Sequence, residues 1–205
     1  ALALTDHGNM NGFAYQVLHA KKMKEEGKDF KPIFGVEAYF IEDVVEWKEK
    51  YEQHKADKKK ARQIDNSKSG INIESAGESK SAGRSELNRS RHIVLVAMNQ
   101  TGLNNIFKMV TESHKGDYFY RKPRIDLALL EKYGEGVIAS SACLGGIYAG
   151  AYWSKIEEGE EAVLEEMRRL TKRFQEVLGD RWYGELQWNR VPQQHALNKY
   201  VIQMH

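Results

Sequence analysis

The sequence is short of several things, and each shortage narrows what the chain can be. It has one cysteine, Cys143, in 205 residues, so no internal disulfide can form, a reducing compartment is expected, and the thiol is free for packing or for a metal. It has no run of about 18 apolar residues and no opening stretch with the basic, apolar and small-residue regions of a signal peptide. The expectation is therefore a cytoplasmic protein with no membrane partner. It also lacks charge of one sign. The formal net charge is +2, and residues 43–90, with 11 Lys and Arg against 9 Asp and Glu, account for all of it. A strong nucleic-acid footprint is absent from the chain itself. Proline is scarce, and Pro32, Pro123 and Pro192 sit at the edges of predicted elements, where a missing N–H is tolerated. No internal repeat is visible. An initiator Met is missing too: the chain opens on an apolar run, ALALTDHG, and closes on NKYVIQMH inside what reads as an unfinished helix, so both ends are expected to be cuts.

What is present is a core-sized complement of apolar residues, 41% of the chain, enough for one domain and too little for two comfortable ones. Runs rich in Val, Ile and aromatics at 1–7, 32–41, 91–98, 135–142 and 181–188 predict strands. Helical spacing predicts helices at 10–27, 101–115, 125–133, 145–156, 159–178 and 191–205. The pattern is clearest over 159–178, where Ala162, Leu164, Met167, Leu170, Phe174 and Val177 recur and Gly179 stands where a C-cap belongs. Short, nearly continuous apolar strands joined by helices argue for an α/β domain with a mostly parallel sheet, or a barrel covered by helices.

One segment breaks this rhythm. From Asp43 to Ser90 the text is Lys, Glu, Ser, Gly and Asn, with few large apolar residues beyond Val44, Val45, Trp47 and Tyr51. VVEWKEKYEQHKADKKKAR predicts a solvated helix, and IDNSKSGINIESAGESKSAGRSELN has the composition of a flexible loop. Residues 43–90 are expected to be a charged insertion between two strands.

Sites in α/β sheets and barrels gather at the carboxyl ends of strands, where loops converge. The first predicted strand ends in Thr5-Asp6-His7-Gly8, the second carries Glu37, the third begins with His92, and the fourth ends near Cys143. Carboxylates and neutral imidazoles suit zinc, manganese or iron, and a thiolate favours zinc. Each residue alone has a plainer reading: His92 as a hydrogen-bonded strand-end histidine, Asp6 as a cap for the next helix, Cys143 as a small core residue. His19, His54, His114, His195 and His205 lie away from strand ends and are read as surface or packing residues.

The wording around these residues narrows the choice. ALALTDHGNMNGF, KPIFGVEAYF, SRHIVLVAMNQTGLNNIFKM, FYRKPRIDLALLEKYGEGVIASSACLGG and GDRWYGELQWNRVPQQHALNKY, taken in order, resemble the PHP (polymerase and histidinol phosphatase) domain of bacterial-type, including phage-encoded, DNA polymerase III alpha subunits. The resemblance spans nearly everything outside 43–90, and TDHGN with KPRID and a following S-x-C-L-x-G is specific in combination. It implies a distorted (β/α)7 barrel of which this chain, a partial domain over 1–205, holds about five of the seven strands. It implies up to three divalent ions, zinc, manganese or magnesium, held by positions matching His7, Glu37, His92 and Cys143, with Asp6 as a ligand or just behind one. Asp6 and His7 are the catalytic candidates. An H-x-H strand before Ala1 and a D-x-H strand after His205 would supply further ligands.

The implied chemistry is phosphodiester cleavage, in a polymerase a 3′-5′ proofreading exonuclease, with DNA, a separate proofreading exonuclease subunit and a sliding clamp as partners of the whole protein. Arg124 and Lys122 in FYRKPRID are candidates for contacting phosphate. Tyr118, Phe119, Tyr120, Trp182, Tyr183 and Trp188 are read as core or interface residues rather than base-stacking ones. Two alternatives stand beside this reading: a freestanding histidinol-phosphatase-like phosphoesterase, and a structural module whose metal site has decayed.

Overall fold

The computed structural model describes residues 1–68 and 90–204. The chain divides into two units, Ala1–Glu42 with Ser90–His205, and Asp43–Arg89. The first contains β1 (Leu2–His7), α1 (Phe13–Glu25), β2 (Pro32–Phe40), β3 (Arg91–Ala97), α3 (Gln100–Ser113), β4 (Phe119–Tyr120), β5 (Lys122–Ile125), α4 (Leu127–Tyr133), β6 (Val137–Ser140), α5 (Ile147–Lys155), α6 (Glu160–Leu178), β7 (Trp182–Tyr183) and α7 (Pro192–Gln203). The second contains α2 (Val44–Lys68).

The second unit begins as its sequence predicts. Asp43 Oδ1 accepts the free N–H groups of Val45 and Glu46 at 2.7 and 2.9 Å, satisfying donors that the first turn leaves open. Glu46 pairs with Lys50 one turn on, and the Trp47 and Tyr51 rings stack 5.0 Å apart. The helix runs to Lys68, so Ile64 to Lys68 is helical where a loop was expected. The rest of the expected flexible loop, 69–89, lies outside the described residues.

In the first unit the strands form one open sheet in the order β4-β5-β2-β3-β6-β7, with β1 also paired to β2. The expectation of a mostly parallel sheet is corrected. β1–β2, β2–β5 and β6–β7 are parallel, whereas β2–β3, β3–β6 and β4–β5 are antiparallel. No helix separates β2 from β3 within this unit, so nothing forces the crossover that parallel pairing requires. β1 and β5 share one edge of β2 in succession, β1 along Pro32 to Glu37 and β5 along Tyr39 and Phe40.

Two further expectations shift. The helix predicted at 125–133 starts at Leu127, because Asp126 Oδ1 takes the Leu129 N–H at 2.9 Å and acts as its N-cap. The residues before it, Lys122–Ile125, are a strand. The strand predicted at 181–188 shrinks to Trp182 and Tyr183. With β4 and β5 added, seven strands replace the five expected, two of them only two residues long.

The core lies on one face of this sheet. Val36, Ala38 and Phe40 of β2, Ile93 and Leu95 of β3, and Val137 and Ala139 of β6 are buried there, at the alternate positions a strand directs to one side. Ile106 and Met109 of α3, Leu130 of α4, and Met167, Phe174 and Leu178 of α6 complete the core. Phe174 stacks on Trp182 at 4.0 Å and meets Phe40 at 5.1 Å.

Candidate metal centre

The sheet pairings bring one end of several strands together. β1, β2, β5, β6 and β7 run the same way, and β3 runs against them. The carboxyl ends of those five strands and the amino end of β3 therefore share one side. His7 is the last residue of β1, His92 the second of β3, and Cys143 follows β6 by three positions.

Pairing across strands then selects the face. Directly opposed residues project to the same side. His7 is opposite Glu37, and His92 is opposite Tyr39, two residues on from Glu37. All four therefore point away from the core face. The ligand atoms of His7, Glu37 and His92 lie within 4.8 Å of one another. His92 Nδ1 is 2.6 Å and His7 Nδ1 3.7 Å from Glu37 Oε1. Cys143 Sγ stands 3.4 Å from His92 Nδ1 and 3.8 Å from Glu37 Oε1, so it faces the same point.

Local backbone fixes these positions. After His7 the chain turns at Gly8, in the left-handed region at φ +68, where a Cβ would meet Pro123 at 2.8 Å. The Gly8 N–H donates to Glu37 O at 2.9 Å, binding the turn to the strand that carries the carboxylate. Ala142 holds a left-handed φ of 57, an uncommon conformation for a residue with a side chain. The Cys143 thiol accepts the Gly145 N–H at 3.3 Å, and Gly145 O accepts the His92 N–H at 2.9 Å. The cysteine loop and the His92 strand are thus joined through backbone.

The electrostatics follow from this crowding. The hydrogen bond to His92, helped by the charge of His7 and opposed by burial, holds the Glu37 carboxyl below its usual range. The contact with Cys143, then that with Glu37, raises His92 to about 9 against the cost of burial. Two imidazoles and a carboxylate lie within reach of one another, with the thiol beside His92 and Glu37; such donors are of the type that binds divalent cations.

The other expected site residues are not among the close ligand group. Asp6 is opposite Val36, on the core face, and lines a cleft with Leu4, Met10, Phe13 and Phe34. Its Oδ2 accepts the Gly12 N–H at 2.6 Å, tying down the loop before α1. The structure does not bring it to the cluster, because neighbours along a strand point to opposite sides. Arg124, expected to contact phosphate, is 4% exposed, donates from Nε to Tyr118 O at 3.2 Å and from Nη2 to Asp117 O at 3.0 Å, and burial lowers it to about 10. Lys122 is exposed, with Nζ 4.1 Å from the centre of the Tyr39 ring. Of the aromatics read as core or interface, Trp182 is buried in the core and Trp188 is 95% exposed.

Two participants escaped the sequence reading. Tyr39 packs on both imidazoles, 6.2 Å from His7 and 5.3 Å from His92 between ring centres; its spacing of two from Glu37 was the available signal. Glu185 accepts Ser140 Oγ at 2.5 Å, and its N–H donates to Ser141 Oγ at 2.9 Å, so the segment after β7 is bound to the strand leading into Cys143. No local pattern announces that link.

The structure is thus a mixed α/β sheet with histidine, carboxylate and thiol side chains gathered at one of its ends. Comparison with known families gives it a place: the model of the PHP domain matches residues 1–189, and the chain belongs to that family. It is 35% identical over 204 residues to DNA polymerase III subunit alpha of Aquifex aeolicus, covering 100% of this chain and 14% of the relative. It is 30% identical over 202 residues to the protein of the same name from Borreliella burgdorferi, covering 98% and 14%. A 45% identity to DNA polymerase III PolC-type of Bacillus subtilis extends over 89 residues, 43% of this chain and 6% of the relative. The chain thus spans about one seventh of the length of the relatives it matches along its whole extent. Among the described residues no helix is long and apolar enough to cross a membrane.

Proposed function

We propose that this chain is the PHP portion of a cytoplasmic replicative DNA polymerase of the polymerase III alpha type, and that its cluster is a phosphoesterase-type centre acting on the 3′ end of DNA. The observation that carries the reading is the meeting of His7, Glu37, His92 and Cys143 at one end of the sheet. The names of the relatives supply DNA as the substrate class. Segments 1–205 and 43–90 are read as a partial domain and an insertion within it.

His7, Glu37, His92 and Cys143 would hold the divalent ion. Such ions lower the pKa of bound water, orient phosphate and stabilise a leaving oxygen. The residues themselves have separate tasks. Glu37 neutralises charge between the two imidazoles, and the backbone of Gly145 keeps the sulfur turned toward them. His7, 57% exposed at its side chain against 16% for Glu37, stands at the open mouth where a terminal nucleotide would enter. Asp6 acts behind it by holding the turn. Lys122, on the rim, offers the cation for phosphate that buried Arg124 does not.

The test uses the full-length protein loaded with zinc, manganese or magnesium and a primer with a mispaired 3′ end. Release of single nucleotides, lost in Glu37→Gln and His92→Ala together with bound metal, is the expected result. Normal metal content without hydrolysis would leave a metal-supported scaffold that receives a proofreading subunit and clamp; unchanged metal in both variants would remove the cluster from consideration.

A further inference from the structure

We infer that Tyr39 and Lys122 form a phosphate-receiving wall of the metal cluster, Lys122 binding the phosphate oxygens and Tyr39 acting as the residue that positions it. The inference rests on the phosphoesterase reading above and names how the substrate's charged group is held.

Tyr39 occupies a junction. On β2 it lies on the ligand face two residues after Glu37, opposite His92 on one side and Arg124 on the other. Its ring is roughly parallel to that of His7, at 24°, and meets His92 edge to face, at 74°. The Lys122 ammonium sits above the same ring. A single aromatic surface therefore touches two candidate ligands and one cation.

The location follows from strand succession. β1 leaves the edge of β2 after Glu37, and β5 takes it up at Tyr39. Because Gly8 packs on Pro123 and Tyr39, the end of the histidine strand and the start of the lysine strand meet over this ring. Lys122 makes no ion pair among the described residues, so its charge is open to an incoming anion. A lysine ammonium is a compact point charge on a flexible stem. A cation resting on a ring face is attracted by the ring's quadrupole, which restricts where that stem places it. The nearby carboxylate of Glu37 disfavours anions at the cluster, so a phosphate group approaching it gains from a fixed cation on the rim. The chemical class is a phosphate ester at the end of a nucleic-acid strand, with orthophosphate as its simplest probe.

The experiment measures inorganic phosphate binding to the metal-loaded full-length protein by calorimetry, with metal content determined in each variant. Lys122→Gln is expected to weaken phosphate about tenfold, the scale of one hydrogen bond to a charged group, with metal content unchanged. Tyr39→Leu is expected to weaken it several-fold in the same direction, also without metal loss, and Tyr39→Phe, which keeps the ring face, to restore it. Phosphate affinity unchanged in both Lys122→Gln and Tyr39→Leu overturns the proposal, as does wild-type protein that binds no phosphate. Phosphate binding that depends on Lys122 in a protein that hydrolyses no ester would uphold this wall and sink the hydrolytic reading instead.

Discussion

The two faces of the β2–β3 pair use one set of backbone hydrogen bonds for opposite ends. On one face Val36, Phe40, Ile93 and Leu95 are almost fully excluded from water. On the other, Glu37, Tyr39 and His92 remain partly exposed, and the contact between Glu37 and His92 lowers the carboxyl and raises the imidazole. The apolar face lowers the free energy of the fold through burial. The polar face gathers side chains of metal-ligand type. One residue of register slip would exchange the two sets, so the core also enforces the alignment of the site.

Breaking each face should therefore give different failures. Phe40→Ala should cost about 3–5 kcal/mol, the range for truncating a buried aromatic ring, and should reduce soluble protein and metal content together; denaturant unfolding and metal analysis would show it. Glu37→Gln should leave the melting behaviour of the metal-free protein close to normal while weakening metal at least about tenfold. Equal loss of stability in both variants would erase the distinction between the faces.

Smaller effects sharpen the same contrast. Arg124→Ala should cost about 1–3 kcal/mol, because the carbonyls of Asp117 and Tyr118 lose their donor, with phosphate affinity unaltered; a fall in that affinity with the fold intact would return Arg124 to the site. Asp6→Ala should cost about 1 kcal/mol through the lost loop anchor at Gly12 and keep its metal, whereas metal loss in Asp6→Asn would place the carboxylate in the cluster.

A further contrast is one of pH. In the metal-free protein His92 has a raised pKa, so its stabilising contribution is complete below the ordinary value of 6.5 and is lost as pH rises through about 9. Stability of metal-free protein followed from pH 6 to pH 10 should decline across that window, and His92→Gln should flatten the decline.

The ligand candidates were legible because strand ends are local features: His7, His92 and Cys143 each sit at or just beyond a strand end, and Glu37 is the one carboxylate within an otherwise apolar and aromatic strand. Lys122–Ile125 was hidden because four residues containing proline, lysine and arginine carry no strand signature, and the adjacent α4 pattern absorbed Ile125. The burial of Arg124 was hidden for a related reason. A charged residue reads as surface until its carbonyl partners are known, and those come from the 3-10 turn at Gly116–Tyr118.

By itself the sequence determined most of the helices, the C-cap at Gly179, and the residue types fit for a metal, because each depends on neighbours within a turn or two of chain. Tertiary structure alone decided which strands run antiparallel, which of the two faces at Asp6 and His7 meets the cluster, and that Cys143 meets Glu37 from 106 positions away. Those outcomes depend on the burial of the whole apolar face at once, a condition no local stretch of residues contains.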